Sequence, residues 1–179
     1  MHRLLTRTGA IVAAAAASLA LTSFPANAAT RTFHDAKSSD WWSDLTRVKV
    51  NNGTTYLTVT ADVGSMTTED RFYLWVDTDV NNAGPEYKGT AIPNSEWQKL
   101  RRVGSFSDSG KALSGENCWV MGTADVNSEP TVTFKVKRSC MKQPGKIRVA
   151  VKARYQLADA IKSDWGPGKN EFFGWVAKG

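Results

Sequence analysis

The chain has 179 residues, with 23 lysines and arginines against 17 aspartates and glutamates, seven tryptophans and two cysteines. A formal net charge of +6 is too mild to indicate nucleic acid by itself. Two cysteines, with one histidine beyond the first few residues, are too few ligands for a structural zinc site.

Residues 1–28 read as a signal peptide. Arg3 and Arg7 give a basic start, "GAIVAAAAASLAL" at 9–21 is an apolar core too short to anchor in a bilayer, and "ANA" at 26–28 supplies the small-residue cleavage pattern. Cleavage is expected after Ala28, with Ala29 as second choice. No second hydrophobic segment follows, so the expectation is an exported, extracellular chain with no transmembrane anchor. The 151 residues left, with a net charge of +4, suit a single domain over 29–179 with one real core.

Period-two alternation dominates the rest. "LTRVKVN" at 45–51 and "TYLTVTAD" at 55–62 flank "NNGT", a hairpin signal, with Val48 and Val50 on one face and Leu57, Val59 and Ala61 sharing a face on the return strand. Residues 71–77 alternate Phe72, Leu74 and Val76 against Tyr73, Trp75 and Asp77. Weaker strands are expected over 86–92 and 97–103, then a Gly/Ser-rich loop over 104–116. Residues 118–126 and 131–140 form a hairpin if paired positions sum to 258. That register sets Cys118 opposite Cys140 and makes one face wholly apolar through Val126, Ala124 and Gly122 against Val132, Phe134 and Val136. In an exported chain the two cysteines are expected as a disulfide. "QPG" at 143–145 turns into 146–155, where Ile147, Val149, Val151, Ala153 and Tyr155 face inward. "QLADAIKS" at 156–163 has room for a short helical turn, and "EFFGWV" is expected to add a last strand. The fold class is therefore all-β: an antiparallel β-sandwich, jelly-roll or immunoglobulin-like, of about 7–9 strands with one disulfide. A closed barrel is the alternative, and no internal repeat is evident.

Nucleophile–histidine catalysis has little to work with: both cysteines are assigned to a bridge, one histidine remains, and no nucleophile-elbow, phosphate-loop or zinc-protease motif occurs. The chain is read as a non-enzyme, with a carboxylate-based hydrolase as the residual alternative. Hard oxygen ligands suit calcium, and Asp77, Asp79 and Asn81 are spaced like the start of a calcium loop that Glu86 could close. An EF-hand is excluded, because Asn82 stands where glycine belongs and Lys88 where the bidentate glutamate belongs. The competing reading is a turn whose Asp and Asn side chains bond their own backbone. Asp35, with Asp40 and Asp44, forms a weaker acidic cluster of the same kind.

Trp42, Trp97 and Trp165 are candidate ligand-binding side chains, because an exposed indole stacks on the C–H face of a sugar; the alternative is that each plugs an edge of the sandwich. Trp75 and Trp119 are expected to face outward. If 131–140 and 146–155 are neighbours, Lys135, Lys137, Arg148, Lys152 and Arg154 form one basic face, either solvated or awaiting an anionic polymer.

"DLTRVKV", "LTVTADV", "FYLWVDTD", "GPEY", "GKIRVAVKA", "DWGPG" and "GWVAKG" resemble a family of uncharacterised exported bacterial β-sandwich proteins. More distantly, the first half is similar to DOMON-like and family 9 carbohydrate-binding modules. The near resemblance implies export and a sandwich. The distant one implies binding of sugar, haem or calcium according to the branch, with calcium near stretches that here match Asp35, Asp77 and Asp79. A haem branch would need axial Met and His ligands, which nothing in the spacing of His34, Met66, Met121 and Met141 provides. The sequence thus points to a binding module for extracellular polysaccharide or cell-envelope polymer, possible structural calcium included and no specific nucleic acid. The runner-up is a protein-interaction or envelope-structural domain without a small ligand.

Overall fold

The computed structural model describes residues 29–36, 44–93, 95, 97–115, 117–126, 129–156 and 160–179. The leader, Trp41 and Trp42, and Asp40 lie outside the described residues. Among the described residues there are thirteen strands: β1 (Ala29–His34), β2 (Leu45–Asn52), β3 (Tyr56–Val63), β4 (Arg71–Asp77), β5 (Tyr87–Ala91), β6 (Trp97–Lys99), β7 (Arg101–Arg102), β8 (Lys111–Ala112), β9 (Trp119–Asp125), β10 (Thr131–Lys137), β11 (Lys146–Gln156), β12 (Ile161–Gly166) and β13 (Val176–Ala177). They build two antiparallel sheets. Sheet I runs β1-β2-β3-β10-β9-β6; sheet II runs β12-β11-β4-β5-β7-β8, with β13 also paired to β11.

The strong alternating segments become the central strands, because only a period-two pattern can put every apolar side chain on one buried face. In sheet I, Val48 lies opposite Ala61 and Val50 opposite Val59, while Phe134 lies opposite both Val59 and Gly122. In sheet II, Leu74 lies opposite Val151 and Val76 opposite Val149. These inner faces meet in one core, which also takes Ile147, Leu57, Leu100 and Phe173.

The hairpin β9–β10 forms, two residues out of the expected register. Val132 pairs with Ala124, Phe134 with Gly122 and Val136 with Val120. The parity is unchanged, so the same face stays apolar, but Val126 falls beyond the ladder and is exposed. The disulfide between Cys118 and Cys140 still closes, because β10 ends at Lys137 and a 3₁₀ turn over Arg138–Met141 draws Cys140 back toward the start of β9. A loop of this length contributes roughly 3 kcal/mol in the chain-entropy picture.

Three further expectations are corrected. The segment 97–103 is not one strand: buried Leu100 bonds to Cys118 O and receives Leu113 N–H, and the chain passes there from sheet I (β6) to sheet II (β7). Residues 161–163 belong to β12 rather than to a helical turn. The tail contributes only Val176–Ala177 as strand. Its remainder is laced down singly, through Phe173 N to Val149 O, Lys178 N to Gly145 O and Asn52 Nδ2 to Val176 O. Buried Arg138 joins the β2–β3 turn to the β10–β11 connection by donating to Gly53 O and Pro144 O. No helix among the described residues is long and apolar enough to cross a membrane.

Candidate functional site

The loop after β4 is a ladder of hydrogen bonds. Arg148 donates to Asp77 Oδ2 through Nε and a terminal nitrogen, both at 2.7 Å, and Asp77 Oδ1 accepts Asp79 N–H at 3.0 Å. Asp79 Oδ1 accepts Asn81 N–H at 2.9 Å. Glu86 Oε2 accepts the Thr78 N–H at 2.6 Å and its hydroxyl at 3.1 Å, while Oε1 accepts from Asn82 Nδ2 at 3.2 Å. Burial pushes the Glu86 carboxyl upward, against the opposing pull of the Thr78 N–H. Asp77, Asp79 and Glu86 share this one loop, where backbone and side-chain donors fill part of their acceptor capacity, and Asn81 enters the ladder through its backbone N–H. Among the described residues, no group of three His, Cys, Asp or Glu side chains is arranged to hold a metal.

Asp35 sits at the other end of sheet II, beside Asp164 of β12 and near buried Asp44. Asp164 Oδ2 accepts Leu45 N–H at 2.8 Å. Burial, the Asp164 charge and the Asp44 charge push the Asp35 carboxyl up from 3.8 to about 6. Burial raises Asp164 as well. A carboxyl whose folded pKa exceeds its unfolded value binds more protons in the folded state, so stability falls as pH rises from about 4 to about 6. Asp35→Asn is therefore expected to raise the unfolding free energy measured by urea titration at pH 7.5, by roughly 1 kcal/mol after allowance for solvent screening, and to leave it unchanged at pH 3.5. An equal effect at both pH values would contradict the charge origin.

The predicted basic face is divided between the two sheets. β10 pairs with β3 and β9, whereas β11 pairs with β4, β12 and β13, so the connection through "MKQPG" crosses the sandwich instead of closing a hairpin. Lys142 and Gln143 take left-handed φ values of 59° and 51° in that crossing. Lys135 and Lys137 lie on the outside of sheet I; Arg148, Lys152 and Arg154 lie on the outside of sheet II. Arg148 is already neutralised by Asp77.

Each half meets a tryptophan that the sequence singled out. On sheet II, Trp75 of β4 lies opposite Ala150 of β11, whose small side chain leaves room on the outer face. Trp75 stacks on Trp165 of β12, with centroids 4.8 Å apart and planes 19° from parallel. Phe106 from the 104–116 loop closes on both, at 5.6 Å and 5.9 Å, and Tyr73 lies 5.9 Å from Trp75. Trp75 is consequently buried although it faces outward, over a small second cluster with Val103 and Ala150. Lys88 Nζ stands 5.1 Å from the Tyr73 and Trp75 centroids, and Lys152 Nζ 5.0 Å from that of Trp165. These residues and Arg154 line an open groove of ≈ 230 Å³. No carboxylate forms an ion pair with Lys88, Lys152 or Arg154 among the described residues. Both amines are pushed down, by burial first and then by neighbouring cations: Arg101 and Lys152 for Lys88, Arg154 and Lys169 for Lys152.

On sheet I, half-exposed Trp97 of β6, Tyr56, Trp119, Lys135 and Lys137 line a groove of ≈ 260 Å³. Lys135 Nζ lies 4.5 Å over Tyr56, and Lys99 Nζ 3.8 Å over Trp119. A roomier cleft of ≈ 360 Å³ lies beside β2 and β3, but its ionic groups include the Arg47–Asp62 pair at 2.5 Å, and no aromatic residue lines it. The sequence missed Tyr73, Lys88 and Phe106 as site residues. Phe106 stands alone in a polar loop, and that isolation was its only signal.

No family model, curated protein or solved structure matches the chain.

Proposed function

We propose that the chain is an exported, non-catalytic binding module for a carbohydrate or cell-envelope polymer that carries acidic groups. The observation that carries this is the outer face of sheet II: Tyr73, Trp165 and Phe106 packed over buried Trp75 and rimmed by Lys88, Lys152 and Arg154, none of which forms an ion pair among the described residues. A rigid apolar platform suits the C–H face of a sugar ring, and the cations suit its carboxylate or phosphate substituents. The groove is smaller and more open than the ~300–1,000 Å³ pockets that engulf small molecules, so it suits a chain lying across it. Export rests on the leader-like residues 1–28 and on the disulfide, which fits an oxidising compartment.

Titration with polygalacturonate, teichoic-acid-type polymer and neutral dextran, followed by tryptophan fluorescence, tests the proposal. The acidic polymers are expected to bind and dextran to bind more weakly. Trp165→Ala is expected to weaken binding about tenfold, within the ~1–3 kcal/mol that stacking contacts contribute. Retention of full affinity by Trp165→Ala would remove this face from the site. Silence toward every polymer would favour the protein-interaction or envelope-structural role. A melting temperature higher in calcium than in chelator, with the difference lost in Asp79→Ala, would place an ion at the 77–86 loop by mass action on the folded state.

A further inference from the structure

The outer face of sheet I repeats the chemistry of sheet II on the opposite side of the molecule. We infer that it is a second subsite for an acidic polysaccharide, so that one chain bridges two polymer strands; this rests on the binding role proposed above. The two sheets lie back to back around one core, and their outward side chains point in opposite directions. One short ligand segment cannot touch both faces across a layer of packed sheets spaced ~10 Å apart.

Trp97 carries the second subsite. Its relative exposure of 50 % is large for a side chain that normally hides, and no hydrogen bond or ring contact consumes its face among the described residues. Around it stand Tyr56, Trp119, Lys135 and Lys137, with Lys99 over Trp119. Lys99, Lys135 and Lys137 have no carboxylate partner among the described residues. The cations lie along strands β6 and β10 on either side of β9, so the face is a basic stripe with aromatic rings set into it. Charge complementarity therefore calls for a polyanion, and the one uncovered ring, Trp97, calls for a flat apolar face on one of its units. A single nucleic-acid strand fits less well, because its bases need a ladder of separately displayed rings. Here two of the three rings are already covered by lysine ammonium groups.

The test uses hexagalacturonate as the short probe and polygalacturonate as the long one. Calorimetry of the wild-type chain is expected to give two hexasaccharides per chain, and mixing with the polymer is expected to give turbidity that peaks at an intermediate ratio. Trp97→Ala with Lys135→Ala is expected to reduce the stoichiometry to one and abolish turbidity while leaving the sheet II site at its wild-type affinity. Lys137→Glu serves as a second variant should the first lose its wild-type melting temperature, and it is expected to weaken the second binding step at least threefold. One hexasaccharide per wild-type chain, with the Trp97 variant unaffected, would overturn the bridging inference and leave the sheet II proposal standing. Absence of any binding by wild type would remove both. Tighter binding of oligo-dT than of hexagalacturonate at the Trp97 face would overturn the polysaccharide as occupant.

Discussion

Arg148→Leu is expected to cost about 3–5 kcal/mol of folding stability, toward the lower end of that range. The cause is the group left behind. The Asp77 side chain has no solvent exposure, and its register partner Arg148 supplies two charge-assisted hydrogen bonds across the β4–β11 ladder. Without the guanidinium, a fully buried carboxylate is left with the Asp79 N–H as donor, beside the Glu86 carboxyl whose charge opposes its own. The Arg148 side chain is 26 % exposed, so water already screens part of the pair and holds the cost below the upper limit. The same asymmetry makes Asp77→Asn the milder change, because the guanidinium left behind reaches solvent and still lies over Phe172 and Trp175 at 4.7 Å and 4.8 Å. Urea titration of both variants checks this. Equal losses would show that desolvation of Asp77 is not the controlling cost.

Arg148 also shows how far a sequence carries such a fold. Its alternation with Ile147 and Val149 identifies it as outward-facing, and that is where it lies. Nothing in the alternation says that Asp77, seventy-one residues earlier, will be its partner, so a residue of the expected basic face turns out to be a structural tether. The central strands β2, β3, β4, β10 and β11 were legible because each buries one face completely, and period two is then the only compatible pattern. β1 and β12 were not. Both are edge strands, with burial concentrated at one or two positions, so "ATRTFH" and "IKSDWG" carry no alternation to read. The split at Leu100 escaped for a related reason: an apolar residue buried between two sheets looks in sequence like one buried within a single strand. Trp97 and Trp165 could be picked out by their polar, turn-rich surroundings. Their grouping with Lys135 and Lys137, or with Lys152 and Arg154, depends on which strands share a sheet, and strand order is a long-range property.

Gly122→Val is expected to cost about 3 kcal/mol, at or beyond the upper end of ordinary overpacking. A Cβ at Gly122 would lie 2.6 Å from the Ala91 Cβ and 3.0 Å from its Cα. The second contact is backbone, so no rotamer change relieves it. Near this point Gly89 also meets Val120, where a Cβ would approach the valine methyl carbons to 3.0 Å and 3.3 Å. β5 and β9 thus come closer across the sandwich than facing sheets usually do, near the place where the chain passes between sheets at Leu100. Gly122→Ala is expected to cost about 1–3 kcal/mol, and adding Ala91→Gly should return much of it, because two residues in direct contact couple by ~0.5–3 kcal/mol. A double-mutant cycle measured by urea unfolding decides the matter; additive losses would mean the two positions do not meet. The contact matters for recognition as well as for stability. β9 carries Trp119 and Met121 to the outside of sheet I, and β5 carries Lys88 to the outside of sheet II. A side chain wedged between Gly122 and Ala91 would push both candidate surfaces outward at once, so Gly122→Ala should weaken polymer binding at both faces without altering a single residue that touches the ligand.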